Sequence, residues 1–159
     1  MRLFDEVDRH DKGPARYAEP QFPYLNRSAR AAFSRTRQIL ETWFARYPVS
    51  GQADLRARFR YRNDSLHHAA FFELFLHELL LRLGYGVTVH PSPSQASTRR
   101  PDFLAESPSG GCFYVEAVVA TDESEEDGAA RARMNIVYDA VDRFDSCRVS
   151  GDVRQKGGG

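Results

Sequence analysis

The pattern of apolar and polar positions changes from helical to strand-like near the middle of the chain. Three helical segments are predicted in the first half, over residues 26–46, 52–60 and 65–83. Tyr47-Pro48 ends the first, and the second is a short arginine-rich turn. Asn63 or Asp64 caps the third, and Gly84 supplies the left-handed conformation favoured just past a helix end. Residues 1–25 contain prolines and no periodicity, so they predict an irregular arm that contributes little to the fold.

Beyond Gly84 the side chains alternate as in β-strands. Strands are predicted over residues 86–90, 102–106 and 112–120. Ser107–Gly111 is rich in serine, proline and glycine and predicts a hairpin loop between the last two strands. A further helix is expected to about Phe144, and residues 148–153 are long enough for one edge strand. The order of elements predicts an α/β fold.

Length and composition restrict the class of protein. The chain has 159 residues, 42% hydrophobic and 28% charged, which is typical of a globular domain and not of a disordered or fibrous chain. No apolar run is long enough to span a membrane, and the first residues do not resemble a signal peptide. We therefore expect a cytoplasmic protein with no membrane partner. Cys112 and Cys147 form no CxxC pair and are expected to be reduced thiols.

Charge is balanced overall but concentrated locally. Between Arg27 and Arg62 nine arginines stand against two acids, a local charge of +7 within a chain of zero net charge. Such a patch attracts phosphate, and Arg56, Arg58 and Arg60 are its candidate substrate-binding residues. The alternative is an exposed arginine-rich helix that serves solubility. The chain has two lysines, Lys12 and Lys156, both near its ends.

Glu73 occupies an unusual position on the predicted helix 65–83. On a helical wheel it falls inside the apolar arc, with His77 about 40° away on the same face. One interpretation is a carboxylate at the helix edge or paired with an arginine, because buried acids need partners. The other is that this face of the helix borders a functional site.

Asp102 and Glu116 are expected to face each other across the last two strands. If Ser107–Gly111 forms the loop, the two carboxylates stand directly opposite on one face of the sheet, where they repel. They would share a proton or require a cation, and oxygen ligands suit Mg²⁺ or Mn²⁺. A register shift of one residue would place them on opposite faces.

These segments together resemble the PD-(D/E)XK nuclease superfamily, whose restriction-endonuclease-like fold is shared with Holliday junction resolvases. The resemblance rests on three stretches: Phe72-Glu73-Leu74-Phe75-Leu76, Arg100-Pro101-Asp102-Phe103-Leu104 and Phe113-Tyr114-Val115-Glu116-Ala117. It covers residues 63–145 and implies an αβββαβ core, a mixed sheet flanked by helices. It also implies that Glu73, Asp102 and Glu116 bind Mg²⁺ or Mn²⁺ and activate water against a phosphodiester. The expected organisation is an arm and N-terminal helical extension (1–62), a nuclease-like core (63–147) and a short edge strand or tail (148–159).

The sequence departs from the superfamily at one catalytic position. Val118 stands where the motif has lysine, and valine cannot polarise water. His77, Arg99 and Arg100 are the candidates to supply the missing group. The leading expectation is a metal-dependent nuclease acting on nucleic acid, DNA rather than RNA, with a second copy or partner chain completing the short sheet. The alternatives are a catalytically degenerate module that binds nucleic acid or protein, and a structural domain whose acids pair with arginines.

Overall fold

The computed structural model describes residues 1–92 and 101–118. Of these, residues 1–14, 20–92 and 101–118 belong to one compact unit, and residues 15–19 form a turn that belongs to a second unit. The described elements are four helices and three strands: α1 (Gln21–Arg27), α2 (Ala31–Arg46), α3 (Val49–Phe59), α4 (Asp64–Arg82), β1 (Gly86–Val89), β2 (Phe103–Glu106) and β3 (Cys112–Val115). Within the described ranges, no helix is long and apolar enough to cross a membrane.

The two long helices predicted from periodicity are present. The side chain of Asn63 accepts hydrogen bonds from the backbone N–H groups of Ser65 and Leu66, which caps α4 as expected. Gly84 has φ +85°, the left-handed conformation predicted to end that helix. The predicted short turn is a full helix, α3, which begins directly after Pro48 because proline is tolerated at a helix start.

The predicted hairpin between the last two strands is confirmed. β1, β2 and β3 form an antiparallel sheet in that order, with Glu106 opposite Cys112 and Leu104 opposite Tyr114. β3 ends at Val115, before the predicted end. The predicted helix to residue 144 and the edge strand at 148–153 lie outside the described residues. The described part is therefore a mixed α/β fold in which α4 precedes three antiparallel strands.

The expectation that residues 1–25 contribute little to the fold is wrong. Residues 21–27 form α1, and Leu3, Phe4 and Phe22 are buried in the main core. The backbone N–H groups of Leu3 and Phe4 donate to the Glu41 carboxylate at 3.2 and 2.8 Å. Apolar side chains in an aperiodic segment can still pack into a core, because burial requires contact and not regular structure.

Candidate metal centre

Glu73 is buried at the middle of α4 and is satisfied by groups from the segment before α3 and from α3 itself. Glu73 is 3% exposed. The Tyr47 hydroxyl donates to Oε1 at 2.6 Å, and Arg58 Nη2 lies 2.7 Å from Oε2. The predicted pairing with an arginine is thus present. Because each carboxylate oxygen can accept more than one bond, this pairing leaves Glu73 able to contact further groups.

His90 lies at the end of β1, where the chain leaves the sheet. Its Nε2 is 3.5 Å from Glu73 Oε1, and its backbone N–H donates to the Asp102 carbonyl at 2.8 Å. Its φ of +44° is in the left-handed region, which non-glycine residues seldom adopt and which costs about 1–2 kcal/mol. Strain of this kind persists where neighbouring contacts hold it, and it is found most often at functional sites.

Asp102 directly precedes β2 and follows Pro101. Its Oδ2 accepts a hydrogen bond from the backbone N–H of Ala117 at 2.6 Å. The donor lies in the segment that directly follows β3. This hydrogen bond therefore fixes the orientation of the Asp102 carboxylate against that segment. The antiparallel pairing of Val89 with Phe103 places His90 next to Asp102, one step beyond the ends of the strands.

Glu73, His90 and Asp102 form a cluster that can hold a metal ion, called the metal-ligand cluster below. Each offers one ligand atom, and these three atoms all lie within 4.8 Å of one another. Burial decreases from Glu73 through Asp102 to His90, so an ion can reach the carboxylates from the exposed side. Two carboxylates and an imidazole are a mixed donor set. Oxygen ligands alone favour Mg²⁺, whereas an added imidazole nitrogen favours a transition metal such as Mn²⁺.

The groups that hold Glu73 keep fixed protonation states. Burial, the hydrogen bond to Glu73 and the nearby carboxylate charge raise the pKa of the Tyr47 hydroxyl, so it remains a donor. Burial lowers the pKa of the Arg58 guanidinium, but the Glu73 and Asp54 carboxylates raise it by more. Arg58 therefore remains a cation beside the cluster.

Glu116 is not a member of this cluster. It is exposed, and within residues 1–92 and 101–118 the group of converging ligands is completed by His90 instead. The predicted register is correct and extrapolates to Glu116 opposite Asp102. However, β3 ends at Val115, and Asp102 uses its carboxylate to bind the Ala117 N–H. The regular alternation that predicted a shared face therefore stops before Glu116.

His77 lies in the core, outside the cluster. It is 2% exposed, with its ring 4.9 Å from that of Tyr47 and 6.2 Å from that of Phe103. Its Nδ1 has no hydrogen-bond partner among the described residues, and burial lowers the pKa of its ring. It packs against Tyr47, whose hydroxyl donates to Glu73.

Two of the predicted substrate-binding arginines bind the N-terminal arm. Arg56 Nε donates to the Arg2 carbonyl at 2.6 Å. Arg60 donates to the Leu3 carbonyl at 3.1 Å and pairs with Asp5 at 2.7 Å. Of the three, it is Arg58 that contacts the metal-ligand cluster. Arg99 and Arg100 lie outside the described residues.

Sequence reasoning missed His90 as a member of the cluster and Tyr47 as a partner of Glu73. His90 could have been found by pairing β1 with β2, since a register that places Val89 opposite Phe103 brings it beside Asp102. The connection between these strands is long, so its length does not fix that register. Nothing in the local sequence distinguishes Tyr47 from an ordinary helix-ending residue.

No protein-family model matches this chain, and no curated protein or solved structure matches it.

Proposed function

We propose that this chain is a nucleic-acid-processing domain of the PD-(D/E)XK type, which hydrolyses a phosphodiester with a divalent cation bound by Glu73, His90 and Asp102. The observation that carries the proposal is the approach of these three side chains, whose ligand atoms lie within 4.8 Å of one another. The order of α4 followed by three antiparallel strands supports the same assignment. DNA is the proposed substrate.

Each residue of the cluster has a separate task in this proposal. Glu73 and Asp102 bind the cation through oxygen, and His90 binds it through Nε2. The Tyr47 hydroxyl and the Ala117 N–H donate hydrogen bonds to the two carboxylates. Hydrogen bonds of this kind orient the ligands of a metal ion. A bound cation supplies an acidified water and neutralises charge that develops on the phosphate.

Calorimetric titration with Mn²⁺ and Mg²⁺ tests the site. We expect wild type to bind Mn²⁺ more tightly than Mg²⁺ because of the imidazole ligand. Asp102→Asn should abolish binding. Glu106→Gln is the matched control, since Glu106 is an exposed carboxylate at the other end of β2 and should leave binding unchanged.

His90→Ala and Glu116→Gln separate the structural assignment from the one based on sequence. We expect His90→Ala to weaken Mn²⁺ binding at least tenfold, within the range seen when a metal site loses a supporting group. Glu116→Gln should have no effect, because Glu116 is exposed and outside the cluster. Absence of Mn²⁺ binding by wild type at millimolar concentration would contradict the proposed function.

A cleavage assay on supercoiled plasmid and single-stranded DNA with Mn²⁺ tests the chemistry. Wild type should cleave at least one of them, and Asp102→Asn should not. Activity that survives Asp102→Asn would belong to a contaminant or to another site.

A second candidate is a non-catalytic domain that keeps the nuclease fold for binding. The specific observation in its favour is Val118, which stands at the motif lysine position and is 68% exposed. Wild type that binds Mn²⁺ and DNA and cleaves neither substrate would support this candidate.

A further inference from the structure

Arg58 is the arginine whose guanidinium joins the metal-ligand cluster to the surface of α3. Its Nε lies 2.9 Å and its Nη2 2.8 Å from Asp54 Oδ2, and Nη2 is also 2.7 Å from Glu73 Oε2. One edge of the planar group is therefore fixed by two carboxylates, one exposed and one buried. Such anchoring holds the guanidinium in place before any ligand arrives.

Among the residues that the structure describes, the contacts of the anchored guanidinium leave part of its N–H donors unused. Nη1 has no hydrogen-bond partner within residues 1–92 and 101–118, and the side chain is 27% exposed. A guanidinium has five N–H groups, and the contacts to Asp54 and Glu73 use those on Nε and Nη2. The two N–H groups on Nη1 remain for a ligand with oxygen acceptors.

We propose that Arg58 contacts a phosphate of the nucleic acid bound at the Glu73–His90–Asp102 cluster and supplies the positive charge that Val118 cannot. This inference rests on the proposed function. The neighbouring arginines of α3 are less suited to the task, because Arg56 and Arg60 already bind the N-terminal arm. Guanidinium donors match phosphate oxygens in geometry and charge.

Arg58 and the divalent cation also act on the same carboxylate. Both are positive and both contact Glu73, so they repel each other when the cation is bound. Removing the guanidinium leaves buried Glu73 with less positive charge nearby, so cation binding should tighten. A residue that merely linked α3 to α4 would give the opposite result, since its loss would loosen the site.

The test measures Mn²⁺ affinity by calorimetry and DNA affinity by fluorescence anisotropy, with a short fluorescein-labelled single-stranded DNA as the probe. DNA binding is measured over a range of KCl concentrations, both with Mn²⁺ and with EDTA. Arg58→Ala should bind the DNA roughly tenfold more weakly, with a salt slope lower by about one, as expected for one lost phosphate contact. The same variant should bind Mn²⁺ at least as tightly as wild type.

Arg56→Ala is the matched control, since it removes an arginine from the same helix and not from the cluster. Equal losses of DNA affinity in Arg58→Ala and Arg56→Ala would overturn the proposal. So would a variant Arg58→Ala that loses affinity for both Mn²⁺ and DNA along with its melting temperature.

A second pair of variants removes the effect of an unpaired buried charge. Glu73→Gln and Glu73→Gln/Arg58→Gln, compared in EDTA, both lack the ion pair, so their difference in DNA affinity reports Arg58 alone. We expect the double variant to bind DNA several-fold more weakly, and equal affinity would overturn the proposal. Wild type that binds no Mn²⁺ would contradict the proposed function, while the comparison in EDTA would still decide the role of Arg58.

Discussion

Burial sets the protonation of His67, a core histidine separate from the metal-ligand cluster. Its ring packs 4.5 Å from that of Phe59, and its Nδ1 lies 2.6 Å from the Phe59 carbonyl oxygen. A carbonyl can only accept, so Nδ1 carries the proton. Burial lowers the pKa of the ring by more than this hydrogen bond raises it. His67 is therefore neutral in the folded protein at neutral pH.

The lowered pKa of His67 predicts a loss of stability in mild acid. In the unfolded chain the ring has a pKa of about 6.5, so the unfolded state binds more protons below that pH. The contribution of neutral His67 to the free energy of unfolding is complete above about pH 6.5. It is lost as the pH falls toward the lower pKa of His67 in the folded state. His67→Asn keeps an N–H donor and cannot be protonated.

Urea unfolding of His67→Asn and wild type over this pH range checks the prediction. The variant should lose about 1–3 kcal/mol at neutral pH through reduced packing, and its stability should depend less on pH. A pH dependence identical to that of wild type would show that another group, such as buried His77, causes it.

At the scale of elements, the first turn of α3 packs directly on Tyr47. A Cβ atom added to Gly51 would lie 2.7 Å from Tyr47 Cε1, closer than real contacts allow. Tyr47 is buried and its hydroxyl is hydrogen-bonded to Glu73, so its ring cannot move aside to accommodate a methyl group. The glycine thus permits the approach that places the Tyr47 hydroxyl on the metal-ligand cluster.

Gly51→Ala should therefore destabilise the protein, although alanine is the better helix former. Overpacking costs about 1–3 kcal/mol, whereas the gain from helix propensity is about 0.5–1 kcal/mol. Ser50→Ala, at an exposed position in the same turn, should change stability by less than about 0.5 kcal/mol. Urea unfolding of both variants measures the difference, and an unchanged or more stable Gly51→Ala would show that Tyr47 can move.

The same elements show what the sequence could and could not predict. α4 was predictable because periodicity, the Asn63 cap and Gly84 all agree. The β2–β3 register was predictable because a five-residue turn sequence fixes a hairpin. Two features of the cluster could not be predicted for the opposite reason: the long segment before β2 leaves the position of His90 open, and the regular alternation ends with β3 at Val115, before Glu116.

The sequence pattern also could not predict which residue of α3 contacts Glu73. Glu73 was interpreted either as a carboxylate at the helix edge or paired with an arginine, or as part of a face that borders a functional site; it pairs with Arg58 and lies beside His90 and Asp102. Which arginine pairs with it depends on how α3 packs against α4. That packing is a tertiary contact, and helical periodicity describes each element by itself.

For the whole compact unit, contacts with the protein's own backbone and acids occupy several arginines of the predicted basic patch. Arg60 pairs with Asp5, Arg56 binds the Arg2 carbonyl, and Arg37 is buried against the carbonyls of Leu25 and Ser28. These arginines bind the protein's own backbone and acids. The local charge of +7 counted along the sequence is therefore not all available to phosphate, since Arg37 is buried.

The arm also completes the core beneath α3. The Phe4 ring lies 5.8 Å from that of Phe22 and 5.9 Å from that of Phe59, and the residue is 5% exposed. Because Phe59 is the last residue of α3, these contacts help to hold the helix that carries Arg58. The arm is thereby linked to the proposed phosphate contact through one helix.

Phe4→Ala should lower the free energy of unfolding by about 3–5 kcal/mol, the usual cost of removing a buried aromatic ring. Val7→Ala is the control on the same arm, since Val7 is 56% exposed and its truncation should cost less than about 0.5 kcal/mol. Urea unfolding monitored by tryptophan fluorescence can measure both, because Trp43 contacts Phe75 of α4 and reports on the core helices. An arm that only lay on the surface would make the two variants equal. A large loss confined to Phe4→Ala would instead establish that the first residues of the chain are part of the folding unit that positions α3.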